Sequence, residues 1–143
     1  MPNRPFAPGF RLSLRDAIVL VAGSSAGIAL ATMVWWWGFV IGFVVAHFFL
    51  FCNVVRMARP LELAWAALFV ALAAGTIALD FPGWPAAISI SLAATVAVVA
   101  LQLRKPSYHG LGWQRINPGL PAWWAAQQAS VAESPEGSPP ARA

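Results

Sequence analysis

The side chains able to do chemistry in this chain are few, and most sit in apolar surroundings. His47 lies inside "FVVAHFFLFCNVVR", residues 43–56, with Cys52, Asn53 and Arg56 following it. Ser24 and Ser25 lie in "GSSAG", residues 23–27, and Thr95 in a later apolar run. A serine beside a histidine is the raw material of a hydrolase nucleophile. "GSSAG" also fits the letters G-x-S-x-G, but that elbow needs a strand–turn–helix setting, which a long apolar helix does not supply. A helix rich in small residues produces the pattern by chance, so no catalytic residue is assigned. A lone histidine can also serve as an axial ligand to haem or a chlorophyll-type pigment. The only other histidine, His109, follows the last apolar run, so two axial ligands from one chain are not expected. No cofactor and no metal are therefore expected, with His47-bound haem or pigment as the one exception kept open.

Absences narrow the chemistry further. There is one Cys, hence no internal disulfide framework. No Walker motif, CxxC or HExxH occurs. A di-iron bundle would need several inward Glu residues and Glu-x-x-His motifs, and these are missing.

The elements that must position these residues are membrane spans. The chain has 143 residues, 59% hydrophobic and only 10% charged, against about 25% charged in an average soluble domain. No Asp, Glu, Lys or Arg occurs from Ala17 to Val55. A run of about 20 apolar residues is enough to cross a bilayer, so that stretch holds two spans. An uncleaved N-terminus is expected, because the apolar run outlasts a signal h-region. The pattern predicts four transmembrane helices over about 16–36, 39–57, 61–80 and 85–103. "WWWG" reads as an interface with a turn at Gly38, and Pro60 and Pro85 suit the first turns of spans 3 and 4.

Charge then predicts orientation. With the N-terminus inside, Arg4, Arg11, Arg15, Arg56, Arg59, Arg104, Lys105, Arg115 and Arg142 all fall on the cytoplasmic side, which is all 9 Lys and Arg. The excess of such residues marks the cytoplasmic face. The expected fold class is an all-α integral membrane protein, an up-down-up-down bundle with both termini cytoplasmic. The expected location is a bacterial-type inner membrane. Residues 1–15 form a cytoplasmic segment, 106–129 an aromatic interfacial segment, and 130–143 a disordered tail. Small residues four apart (Gly23 and Gly27, Gly38 and Gly42, Ala71 and Gly75, Ala93 and Ala97) would let spans approach closely. Trp35, Trp36, Trp37, Trp84, Trp113, Trp123 and Trp124 are the expected interfacial anchors.

Depth brings the polar residues together. His47 lies nine residues from Gly38, about 14 Å along a helix and near the middle of a core about 30 Å thick. Ser24 and Ser25 on span 1 and Thr95 on span 4 fall at similar depths, so His47, Ser24, Ser25 and Thr95 form a candidate mid-membrane cluster. Ionisable groups at that depth face the bundle or water and often mark function; they also serve as interhelical hydrogen-bond glue. The sequence favours glue. Toward the cytoplasm, Asn53 and Arg56 are three apart, a same-face spacing on an α-helix. Glu62 is placed to pair with Arg56 or Arg59. Asn53, Arg56, Arg59 and Glu62 thus form either a loop salt bridge or an anionic lipid or phosphate site.

Net charge of +4 does not point to nucleic acid, because the positives flank apolar spans. The expected partners are the lipid bilayer, with anionic headgroups, and a protein partner or a second copy. The expected function is a non-enzymatic accessory, assembly or partner-binding subunit. The alternative is a small oligomeric transporter or channel lined at mid-depth by His47.

Overall fold

A computed structural model describes residues 6–133 of the chain. Arg4, Arg142 and the tail beyond Glu133 lie outside the described residues. Four helices are long and apolar enough to cross a membrane. They are α1 (Leu14–Met33), α2 (Trp35–Phe49, continued as a π-helical segment over Leu50–Val55), α3 (Arg59–Leu79) and α4 (Trp84–Leu103). A short α5 (Trp113–Ile116) and α6 (Leu120–Glu133) follow.

Local chemistry explains the helix ends. Ser13 and Asp16 close a reciprocal capping box on α1: Asp16 N donates to Ser13 Oγ (3.2 Å) and Ser13 N donates to Asp16 Oδ2 (2.8 Å). This satisfies two of the N–H groups that every helix start leaves open. Pro occupies the first turn of both α3 and α4, where its missing N–H costs nothing. Asp80 ends α3 in the left-handed region at φ 56°.

The first turn differs from its sequence-based position. The chain reverses at Val34, which is extended (φ −144°, ψ 103°), and Trp35–Trp37 already belong to α2. Gly38 is helical and faces α1, where a Cβ would sit 2.6 Å from the Gly27 carbonyl oxygen and collide with Ala31. Its missing side chain is needed for helix approach rather than for turning. Gly23 and Gly27 contribute similarly, against Val45 and Ile41. Gly42 does not, since a Cβ there meets nothing within 4 Å. Ala71, Ala93 and Ala97 are exposed, and Gly75 abuts the Phe81 carbonyl of its own turn. Gly38→Val should therefore cost about 1–3 kcal/mol by overpacking, whereas Gly42→Ala should stay within about 0.5 kcal/mol of wild type. Dodecyl-sulfate unfolding in mixed micelles, followed by circular dichroism, measures both. Equal midpoints for the two variants would refute close packing at Gly38.

The core is aromatic and lies between α2, α3 and α4. Phe51, Trp65 and Phe69 are buried together, with Phe43, Ile88 and Val98 packed around them. At one end Trp36 stacks on Trp37 (4.6 Å) and meets Trp84 (5.2 Å). Toward the other end, Gln102 of α4 reaches the linker between α2 and α3: Ala58 N donates to its Oε1, and its Nε2 donates to the Arg56 carbonyl, both at 3.4 Å. Only Gly27 of α1 is buried, so α1 is the peripheral helix.

The chain after Lys105 is a folded cap. Tyr108 and Leu120 are among the most buried apolar residues, at 2% and 0% exposure. Asn117 ties the cap internally, donating from Nδ2 to the carbonyls of Pro106 (2.6 Å) and Tyr108 (3.1 Å). α6 runs to Glu133, past residue 130 where the sequence predicts the tail to begin; the rest of that tail lies outside the described residues.

Candidate functional site

Two places gather the polar groups. The first is at mid-helix. His47 is 6% exposed, and its Nδ1 lies 2.7 Å from the Phe43 carbonyl one turn earlier. A carbonyl oxygen only accepts, so Nδ1 carries the proton in this contact. The ring stacks on Trp65 (4.5 Å, 15°) and also meets Phe43 (4.2 Å) and Phe51 (5.7 Å, edge-on). Trp65 in turn stacks on Phe69 at 5.5 Å. His47 is thus one wall of an aromatic box.

The polar link out of the box belongs to Trp65. Its indole Nε1 donates to Thr95 Oγ1 (2.9 Å) and to the Ser91 carbonyl (3.0 Å). The Thr95 hydroxyl donates onward to the same Ser91 carbonyl (2.8 Å). His47 and Thr95 therefore meet through one face and the edge of the same indole, not by a direct bond. Ser24 and Ser25 are exposed on α1 and take no part. Depth alone placed the four residues level; helix rotation separates the serines from the other two. Spacing and depth do not single out Trp65, because tryptophan in a membrane chain reads first as an interface residue. A Trp inside a span, six residues from the α3 start, is the signal that could have found it.

The second place is where α2 ends. The π-helical segment closes at Arg56, which adopts the left-handed region at φ 51°, uncommon for a residue with a Cβ. Met57 N donates to Phe51 O (2.8 Å), one residue wider than the 6→1 bond that closes an α-helix at a left-handed stop, as the wider π-helical turn requires. A helix end leaves its last carbonyls without partners. Here the chain's own ends supply two: Arg11 N donates to Asn53 O (3.4 Å) and Leu111 N to Val54 O (2.8 Å). Gly110 allows the approach, since its Cβ would stand 2.5 Å from Val55 O and 2.7 Å from Val54 O. Tyr108 Oη donates to the Leu111 carbonyl (2.7 Å), and burial raises its phenol above the ordinary 10.0.

This geometry separates Asn53, Arg56, Arg59 and Glu62, which spacing alone groups together. The same-face spacing of Asn53 and Arg56 assumes a continuous α-helix, which the π segment and the left-handed stop interrupt. Asn53 is fully buried. With its amide nitrogen turned toward the acceptors, it donates to the Arg11 carbonyl and to Asp16 Oδ2 (3.1 Å). Arg56 sends its guanidinium to the Ala7 carbonyl, and Glu62 Oε1 accepts from the Cys52 thiol at 3.7 Å. Arg56, Arg59 and Glu62 do line one cavity of about 650 Å³, together with Arg11, Cys52 and His109. A second cavity of about 490 Å³ lies beside it, between Arg11, Arg56, His109 and Trp124. Burial, followed by the nearby charge of Arg11, lowers the Arg56 guanidinium from its ordinary value.

The expected anchors divide between the two ends. Trp35 is 76% exposed beside Trp36, Trp37 and Trp84. Trp113 and Trp124 instead meet Phe6 edge-on, at 5.9 and 5.7 Å, and Trp123 packs beside Trp124 at 6.3 Å. These rings join the N-terminal segment to the cap. Among the described residues no group of three or more His, Cys, Asp or Glu could hold a metal ion. No family model matches the chain, and no curated protein or solved structure matches it at a significant level.

Proposed function

We propose that the chain is a non-enzymatic accessory or assembly subunit of a bacterial-type inner membrane. In this reading it crosses four times, up-down-up-down, with both ends cytoplasmic. Supporting the orientation, Arg and Lys concentrate where the N-terminal segment, the α2–α3 linker and the cap meet, and cytoplasmic loops carry such an excess.

The observation that carries the partner role is the outward face of α1. Ala22, Ser25, Ala26 and Ala29 are all exposed, and the spacings of three, four and seven put them on one side of the helix. The opposite side, through Gly23 and Gly27, already packs on α2. Membrane helices associate through small residues because close backbone approach supplies packing that lipid cannot. A partner helix or a second copy of this chain fits that face. The aromatic box around His47 supports a packing role for that residue, since its ring is spent on stacking and on a bond within its own turn.

Native mass spectrometry of the full chain in mild detergent tests this. The wild type should appear in a defined complex, with itself or with a co-purifying membrane protein. Ala26→Leu, which fills the face with a larger apolar group, should cut the complexed fraction at least fivefold while leaving the fold intact. A wild type that is monomeric in every mild detergent, or an unaffected Ala26→Leu complex, would sink the proposal.

A further inference from the structure

The smaller cavity beside Arg56 has a one-sided polar lining. Among the described residues, four polar side chains line it, Arg11, Arg56, His109 and Trp124, and no carboxylate does. Each reaches it from a different part of the chain: the N-terminal segment, the left-handed stop of α2, the loop before α5, and α6. Trp124 Nε1 is a buried donor with no hydrogen-bond partner among the described residues. Buried donors are otherwise almost always paired, so this N–H calls for an acceptor. The neighbouring carboxylate, Asp16, accepts from Ser13 N and the Asn53 amide and also feels the charge of Arg11, but it does not line this cavity. Arg11 and Arg56 are close enough for their charges to oppose each other, and Arg56 is held in place by the Ala7 carbonyl. His109 Nδ1 lies 2.8 Å from the Ser107 carbonyl, which fixes the ring's orientation. Phe6 and Pro8 supply an apolar wall.

We infer that this cavity is a binding site for a phosphate-bearing anion, held by the guanidinium groups of Arg11 and Arg56 and by the indole N–H of Trp124. Arginine is the residue suited to phosphate, because its planar fork makes paired charge-assisted bonds. The indole N–H is a neutral donor that lacks an acceptor, and the apolar wall accommodates the group that carries the phosphate. A phospholipid headgroup and a soluble phosphate share this chemistry. The site forms within one chain, so failure of the oligomer test on α1 leaves it untouched.

Thermal unfolding of the full chain in neutral detergent distinguishes the sources. It is titrated with inorganic phosphate, with short-chain phosphatidylglycerol, or with diacylglycerol of the same acyl length. A saturable rise in midpoint is expected with a phosphate-bearing ligand and not with diacylglycerol. Saturation by phosphatidylglycerol alone assigns a lipid, and saturation by inorganic phosphate assigns a soluble anion. Arg11→Gln combined with Arg56→Gln should weaken apparent affinity at least tenfold. Trp124→Phe, which keeps an aromatic ring but removes the N–H and one ring's volume, should weaken it about threefold to tenfold and guards against a double variant that fails to fold. No saturable shift with either phosphate ligand, an equal shift with diacylglycerol, or unchanged affinity in Trp124→Phe would each overturn the inference.

Discussion

Trp65→Ala should destabilise the four-helix unit by about 3 kcal/mol, and Trp65→Phe by only about 1 kcal/mol. Trp65 is 5% exposed and touches His47, Phe43, Phe51 and Phe69 through its ring. In soluble cores, replacing an aromatic residue by alanine costs about 3–5 kcal/mol, part of it transfer from water and part the cavity left behind. In lipid the transfer part is largely missing, because the unfolded helix already sits in hydrocarbon. The low end of the range is therefore the appropriate figure. Four ring contacts are lost together, and each is worth about 0.5–1.5 kcal/mol beyond area.

The hydrogen bonds make the smaller contribution because they are redundant. If the indole N–H is removed, Thr95 Oγ1 still donates to the Ser91 carbonyl, so no buried hydroxyl is orphaned. Interhelical hydrogen bonds in membranes average about 0.6 kcal/mol. Phenylalanine retains much of the ring stacking and gives up that bond and one ring's volume. Dodecyl-sulfate titration of the purified variants measures both values. Equal losses for phenylalanine and alanine would show that the indole N–H, not the ring, holds α3 to α4.

The difference between ring and bond also explains what could be read from the sequence. Span number and approximate ends were legible because hydropathy and proline placement act locally: α4 was expected over 85–103 and runs Trp84–Leu103. The hairpin contact through Gly23 and Gly27 was legible only in part, since at the same spacing a Cβ on Gly42 meets nothing within 4 Å and Ala71, Ala93 and Ala97 are exposed. Gly38 was assigned to the turn instead, because a glycine next to a Trp cluster suits both a turn and a helix crossing. Helix rotation was not legible at all. The moment of an all-apolar helix is small, and nothing local says that Ser24 faces outward while Thr95 faces Trp65.

The π-helical segment was likewise hidden. "LFCNVV" has no residue that forbids an α-helix, and its wider turn is justified only by what docks on it from residues 11 and 111. A tertiary cause of this kind leaves no local mark. The polar density of "CNVVR" did hint at a site, but the partners of Asn53 turned out to be Arg11 and Asp16, residues about forty positions away in "RLSLRD".

Gly110→Ala should release the cap after Lys105 while sparing the four long helices. A Cβ at this position would stand 2.5 Å from Val55 O, 2.7 Å from Val54 O and 2.8 Å from Tyr108 Oη. Two of the three are backbone oxygens at a helix end, so they cannot swing aside as a flexible side chain would. The loop must retreat, and with it go the Leu111 N to Val54 O bond and the fixed geometry of the Tyr108 to Leu111 bond. Overpacking costs about 1–3 kcal/mol, and each lost hydrogen bond adds about 1 kcal/mol. The total, on the order of 3 kcal/mol, exceeds what a short cap with one fully buried leucine has in reserve. Hydrogen exchange at the Leu111 amide should accelerate at least a hundredfold, and trypsin should cut after Arg104 and Arg115, while helix content stays within error. Phosphate-ligand binding should fall as well, because His109 and Trp124 move with the cap whereas Arg11 and Arg56 do not. Unchanged Leu111 exchange in Gly110→Ala would mean that the π-helical end of α2 yields instead, and that the cap, not the helix, is the rigid element.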